Sequence, residues 1–560
     1  MAVRPRHSIY RLVMLTCLLA LTVALTAAAC SAGGNNFDDD DDSQTSTGEG
    51  GGIGFDAGTG GTGLTGDPKT CAEAEQARTY MGCDFWPTVT ANNVWSIFDF
   101  AVVVANTGEN VVDATVTRGG APVATAQIQP NALETIYLPW VPELKGPDCD
   151  ECGSATPMPG SVRVVGGAYH LETTFPVTVY QFSALEYVGQ GGPPGKDWSS
   201  CPGNLPCLLT MGPVGCYSFS NDASLLIPST AWTGNYRVTS IPGWVNPMNG
   251  TPIMGTYIAI TGLQDGTTVN IHLSATADIV AGGGLSATGG GQTATTTIGR
   301  GEVIEVVSSA TSDMSGTWVE ATGPVQVIAG IPCRNIPDEQ SACDHLEESV
   351  FPAETLGQHY VVTRPTGPHG TAAGHYVRIY GNVDGTTLSY PSGQPPNAPT
   401  SINAGQVADL GVVNMDFEVE GSAAFAVGTF QQGASVVDPG AQPPDQKGDP
   451  AQSLSTAVEQ YRTKYVFLAP LDYDVNFVDI VLAAGTQVLV DGAPISAVPE
   501  AIGSSGYTVA RVQLGPGTNG AHLLEASSPV GIQVAGYGSY TSYYYPGGLD
   551  LEAIAPPPAR

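Results

Sequence analysis

Three stretches of this chain share one skeleton, and that self-similarity limits the possible folds more than any single motif. The clearest copy begins at Cys343, CDHLEESVFPAETLGQHYVVTRP, and runs through HYVRIYGNVDGTTLSY to Tyr390. Upstream, SNDASLLIPSTAWTGNYRVTSIP from Ser220 leads to YIAITGLQDGTTVNI from Tyr257. Downstream, DPAQSLSTAVEQYRTKYVFLAP from Asp449 leads to FVDIVLAAGTQVLVDG from Phe477. Each copy carries an acidic residue, a polar block, an aromatic-led apolar strand, a second strand and a Gly-Thr turn. A second signature recurs: PVTVYQF at Pro176 is echoed by PVQVIAG at Pro324, AAFAVGTF at Ala423 and PVGIQVAGY at Pro529. Proline at a strand start is tolerated because its missing donor does no harm there.

Together the signatures predict four β units, 71–190, 200–335, 340–435 and 445–551, with a short tail over 552–560. The Pro/Gly-rich segments 188–200 and 434–448 read as junctions. The fold class is all-β: short alternating strands and frequent turns, with Gly 71 and Pro 43 against only 13% charged residues. Two architectures fit. Units of roughly 100 residues match sandwich-like modules in tandem, the favoured arrangement. A β-propeller is the alternative, although a blade usually repeats at about 40–50 residues.

The N-terminus reads as an export signal. Arg4, Arg6 and Arg11 precede the apolar run LVMLTCLLALTVAL, and Ala27, Ala28 and Ala29 precede Cys30. Small residues before a cysteine at this distance predict a bacterial lipoprotein signal over 1–30, with Cys30 acylated. The competing readings are an Ala-x-Ala cut that releases the protein, or an uncut anchor, which would need about 20 apolar residues. Residues 31–70 are rich in Gly, Ser and Asp and poor in apolar side chains, which predicts a disordered tether. The run Asp38 to Asp42 lacks the alternating ligands and closing Glu of a calcium loop, and reads as a solvated spacer. The expected location is therefore exported and lipid-anchored, at the outer membrane or cell surface of a Gram-negative bacterium, with the membrane as one partner.

Lys and Arg number 19 against 52 Asp and Glu, a formal net charge of −33. Nucleic acid is excluded as a partner, because phosphate binding needs clustered cations. Closely spaced cysteines in an exported chain are expected to be oxidised. Proximity pairs Cys71 with Cys83, Cys149 with Cys152, Cys201 with Cys207 and Cys333 with Cys343. Cys216 is then left unpaired, unless it competes for Cys201 or Cys207. The CDEC motif at 149–152 lacks the βαβ context of a thioredoxin-like site.

No catalytic signature is complete. There is no G-x-S-x-G elbow, H-E-x-x-H helix or P-loop. GPPGKDW at 192–198 lacks the first glycine and the hydroxyl residue after Lys196, and reads as a turn. The cluster Asp344, His345, Glu347, Glu348 could bind a cation or serve as acid and base, with His359, His369 and His375 as possible additions. The plainer reading has Asp344 fixing a turn while the glutamates face solvent. Asp222, Asp344 and Asp449 occupy one position of the repeat and are expected to cap turns. No cofactor is expected; structural calcium between modules, helped by Asp265 and Asp384, is the alternative. The terminal SYTSYYYPGG offers Tyr540, Tyr543, Tyr544 and Tyr545 as a possible binding surface.

The segments CDFWPT, YHLETTFPVTVYQF, SNDASLLIPSTAWTGNYRV and CDHLEESVFPAETLGQHYV carry a resemblance. In combination they resemble the IgGFc-binding protein N-terminal domain family, found in bacterial surface lipoproteins and a mammalian mucus protein. The resemblance covers roughly residues 71–551 and is strongest across 169–390. It implies a surface β module with a binding or adhesion role and no catalytic site; the family name implies Fc binding, observed for the mammalian member. No IgG-contact residue is carried over. The expected function is a non-catalytic cell-surface lipoprotein recognising a protein or glycan. The alternatives are a secreted hydrolase or metal-dependent enzyme centred on Asp344 to Glu348, and a passive envelope or matrix component. The sequence leaves the oligomeric state open.

Overall fold

The computed structural model describes residues 67–558 apart from 209–211, 341–342 and 443–444. The export signal, Cys30, the Asp38–Asp42 run and nearly all of the tether lie outside the described residues. Among the described residues no helix is long and apolar enough to cross a membrane.

The chain folds into four sandwich-like units of antiparallel strands, and in three of them two sheets share one strand at the corner. In the first unit that strand is β1, Tyr169–Ser183. Its first half pairs with Val112–Arg118 and Gly82–Phe85; its second half pairs with Phe100–Asn106 and with β2, Asp222–Leu225. The pattern repeats with β3 (Trp318–Arg334) and β4 (Asp344–Ser349), and with β5 (Phe425–Phe430) and β6 (Gln452–Leu454). It closes with β7 (Ala521–Gly538) and β8 (Thr541–Pro546). In the third unit the corner strand is broken, so Phe417–Gly421 serves one sheet and β5 the other. Two sheets per unit explain why the repeat is near 100 residues rather than a blade's length.

Each even-numbered strand belongs to the sandwich before it. The acidic start of a sequence copy is therefore the last strand of the preceding unit, and the aromatic-led strand opens the next. These four closing strands also touch one another. β2 packs against β4 and β8, and β6 packs against β4 and β8, so they form a closed ring at the centre. Strands in such a place are covered on both faces, and their burial is continuous rather than alternating.

The recurring aromatic residue has a defined task. Tyr236, Tyr360 and Tyr465 each donate from the phenol to a corner-strand carbonyl, that of Val325, Phe425 or Val530. Each also accepts the N–H of the residue three positions earlier, Thr233, Gly357 or Arg462. The tyrosine thus satisfies backbone groups where the corner strand passes from one sheet to the other, which would otherwise be orphaned in the core. In the first unit Phe85 holds this position: Gly82 faces Val177 in the same register, and no hydroxyl is present.

The disulfides correct part of the proximity pairing. Cys71 joins Cys83 and Cys333 joins Cys343, but Cys152 joins Cys207 and Cys201 joins Cys216. Cys216 is therefore paired, and Cys149 is the free thiol among the described residues. The reason is the turn at Asp150, whose carboxylate accepts the N–H groups of Cys152 and Ser154. Cys149 is held on the other side, its N–H bonded to the Asn93 carbonyl and its side chain against the Trp95 and Phe98 cluster. Burial, then the charge of Asp148, pushes its thiol up to about 12. A chain beginning at Asp67 is expected to release one equivalent of thiol to a disulfide reagent when denatured, and almost none when folded. Zero or three equivalents on denaturation would contradict this pairing.

Candidate functional site

The acidic–histidine cluster lies on β4, in the central ring, and none of it reaches solvent. Asp344, His345 and Glu347 are 0% exposed and Glu348 is 1% exposed. This overturns both sequence expectations: the glutamates do not face solvent, and the segment is a buried strand rather than a turn. A run of charges in the sequence ordinarily marks a wet face; here Glu347 instead meets polar side chains from other strands of the core.

Asp222 is the hub. Its Oδ2 accepts the N–H of Glu347 on β4 (3.1 Å) and of Gln452 on β6 (3.0 Å). Its Oδ1 accepts the N–H of Tyr544 on β8 (3.4 Å) and of its own neighbour Ala223 (2.9 Å). One carboxylate on β2 therefore bonds the backbone of all three other ring strands. Each oxygen accepts two N–H groups; burial raises the Asp222 pKa well above the carboxylate range, and the bonds from Gln452, Ala223 and Glu347 oppose that rise. Reciprocal links complete the ring: Asp344 Oδ1 accepts the N–H groups of Asn221 and His345, and Ser542 Oγ accepts that of Asp449.

Glu347 plays a comparable part through side chains. Its Oε1 accepts from Gln181 Nε2 (3.0 Å) and Ser224 Oγ (3.1 Å), and its Oε2 from Thr90 Oγ1 (2.6 Å). His345 Nε2 lies 3.3 Å from the same oxygen, with its ring stacked over Tyr257. Glu305 accepts the N–H of Ala91, so the buried segment around Thr88 to Asn92, which has no ladder of its own, is held by acids of the second unit.

Several acids have unfilled valence. Asp344 Oδ2, Asp449 Oδ1, Glu348 Oε2 and Glu305 Oε2 are buried without a hydrogen-bond partner. Burial raises all four pKa values well above the carboxylate range, and for Asp344 the charges of Asp449 and Asp222 raise it further. Burial disfavours the charged form of each of these groups.

The other sequence candidates scatter. His369 is exposed and pairs with Asp438, while His375 is sealed in the core with its pKa lowered to about 3 by burial. His359 sits on a different sheet, opposite Glu420. Asp265 and Asp384 cap exposed turns by accepting the N–H groups of Arg300 and Ala404. With Asp222 saturated by N–H donors and these two remote, the five aspartates do not assemble a calcium cage.

The tyrosine surface is also corrected. Tyr543, Tyr544 and Tyr545 are 0–1% exposed because they form β8, the fourth ring strand. Tyr543 donates to Asn476 and Tyr545 to the Leu468 carbonyl. Tyr540 lies in the turn before β8, at φ 52°, bonded to Gln446. SYTSYYYPGG follows its corner strand PVGIQVAGY directly, as DHLEES follows Trp318–Arg334, and so takes the place of a ring strand.

One pair escaped sequence reading. Lys196, in the loop that resembles a phosphate loop, bonds both oxygens of Asp99 at 2.8 Å. Beside it Glu186 accepts the Asp99 N–H, and burial followed by the Asp99 charge raises Glu186 to about 7.

Residues 222–536, more than half of the chain, match the family described as IgGFc binding protein. The chain belongs to that family. The match opens on the hub aspartate of β2 and closes within β7, so it spans three of the four ring strands. Searches of curated proteins and of solved structures return no match. The family is described by a binding role and is not a known enzyme family.

Proposed function

We propose that this chain is a non-catalytic cell-surface binding protein, exported, lipid-anchored through Cys30 and recognising a protein or glycan. The observation that carries the reading is the use made of Asp222 and Glu347 at the centre: both carboxylates are buried and accept hydrogen bonds that tie the sandwiches together. Family membership supports a binding role, and four disulfides suit an oxidising compartment.

With the terminal tyrosines buried, the contact surface has to lie elsewhere. The best-supported place is the loop stapled by Cys152–Cys207 and Cys201–Cys216. It presents Leu205, 57% exposed, and Leu208, 90% exposed, on a backbone held by two cross-links. Ordering before contact lowers the entropic cost of association.

A chain beginning at Asp67, screened on glycan and protein arrays that include IgG Fc, is expected to give saturable binding to at least one class. Replacing Leu205 and Leu208 by aspartate is expected to weaken that binding about tenfold or more, the loss of two buried anchors. A blank on both arrays would overturn the binding reading in favour of a passive envelope component.

A further inference from the structure

We propose that His359, Glu418 and Glu420 form a binding site for a divalent transition-metal ion of the zinc class. His359 lies on the strand His359–Val362, and both glutamates lie on its antiparallel neighbour Phe417–Gly421. The register places Glu420 directly opposite His359 and Glu418 opposite Val361. Residues two apart on a strand share a face, so one imidazole and two carboxylates project together. Their ligand atoms lie within 4.8 Å of one another.

A second such group makes the comparison informative. Asp84, His170 and Glu172 occupy a corresponding strand pair of the first unit. There the valences are filled: Asp84 accepts from Trp86 Nε1 and Ser229 Oγ on one oxygen and meets His170 Nε2 at 2.7 Å on the other. Trp86 stacks over the His170 ring at 4.2 Å. At His359 the set is incomplete. Glu418 is 4% exposed; one of its oxygens is 2.7 Å from His359 Nε2, and the other, Oε2, is buried with no partner. Leaving a buried carboxylate oxygen unpaired is costly, and a cation shared with the imidazole and Glu420 would fill it.

The donor set fixes the class of ion. Imidazole nitrogen with two carboxylates suits zinc and its neighbours, with metal–ligand distances of about 2.0–2.2 Å, rather than calcium, which takes oxygen alone. Three protein ligands leave a fourth position for water, and exposed Glu420 can rotate to close the triad. Tyr507, from the last unit, stands edge-on to His359 at 5.7 Å. Such an ion would therefore clasp two strands of the third unit beside a residue of the fourth.

The test is calorimetric titration of the purified full-length chain with Zn²⁺, and with Co²⁺ followed by absorption. One saturable site is expected. His359→Ala and Glu420→Gln are expected to weaken it at least about tenfold, since even outer-shell partners contribute that much. Glu172→Gln, in the filled triad, is expected to leave it unchanged. Glu420 is exposed, so its substitution tests binding without disturbing the core. No saturable binding, unchanged affinity in these variants, or a strong thiolate-to-Co²⁺ band that points to Cys149 would each overturn the proposal.

Discussion

Asp222→Ala is expected to prevent the chain from reaching a stable folded state, and Asp222→Asn to lower its stability by about 3–5 kcal/mol. Alanine leaves the buried N–H groups of Ala223, Glu347, Gln452 and Tyr544 without their acceptor. An unsatisfied buried donor costs about 1–3 kcal/mol, against a total stability of only about 5–15 kcal/mol. Asparagine keeps one oxygen but sets an amide donor against two N–H groups, so half the hub is lost and two donors are added. Urea unfolding of the Asn variant measures the loss directly. A change below about 1 kcal/mol would mean that the ring is held by packing, with the aspartate incidental.

The second large effect is on pH dependence, and its sign is the reverse of ordinary acid denaturation. In the unfolded chain Asp344, Asp449, Glu348 and Glu305 titrate near the usual carboxylate values, about 3.9 to 4.3. In the fold burial raises all four well above that range. Between the unfolded and folded pKa values the native state holds more protons, so stability is present in full below the unfolded values. It falls as pH rises, by about 1.4 kcal/mol per pH unit for each group still protonated.

Opposing groups act only in stronger acid. Burial pushes Asp84 up, but bonds from His170 and Ser229 hold its pKa below the ordinary value. Asp416 is held down by Arg364 and Arg511 against its own burial. Their contribution is lost as pH falls through the carboxylate range. The melting temperature is therefore expected to peak in mild acid, near pH 4–5, and to decline towards pH 8. Asp344→Asn should flatten that decline, because the amide stays neutral and can donate where Oδ2 has no partner. A melting temperature that rises steadily from pH 5 to pH 8 would show that the acids are ionised in the fold.

Much of the architecture was legible because the repeat is written in residues with backbone tasks. The aspartate at 222, 344 and 449 and the tyrosine at 236, 360 and 465 recur because each satisfies main-chain groups at a ring strand or at a sheet corner. Prolines 176, 324 and 529 marked the corners. What could not be read was the destination of each ring strand. Asp222 sits 39 residues after Ser183 but pairs with it, and nothing local says that the acidic start of one copy completes the sandwich before it.

The same gap explains the misread cluster and tyrosines. DHLEES has the composition of a wet turn, and YYY that of a contact surface. Each is buried only because three other units bring a cover. The cysteines failed for a nearer reason, a single Asx turn at Asp150 that points Cys149 and Cys152 apart. No side chain in the repeat announces Glu186 or the triad at His359, since both are assembled across strands distant in sequence.

Backbone hydrogen exchange in wild type and Asp222→Asn, at a pH where both are folded, tests the central claim most directly. Glu347, Gln452 and Tyr544 lie on three different sheets, and the Asp222 carboxylate is the acceptor that their amides have in common. The expected result is protection of all three amides in the wild type and its joint loss in the variant, with the outer sheets unchanged. Loss confined to residues near 222–225, with those three amides still protected, would contradict a ring held by one buried carboxylate.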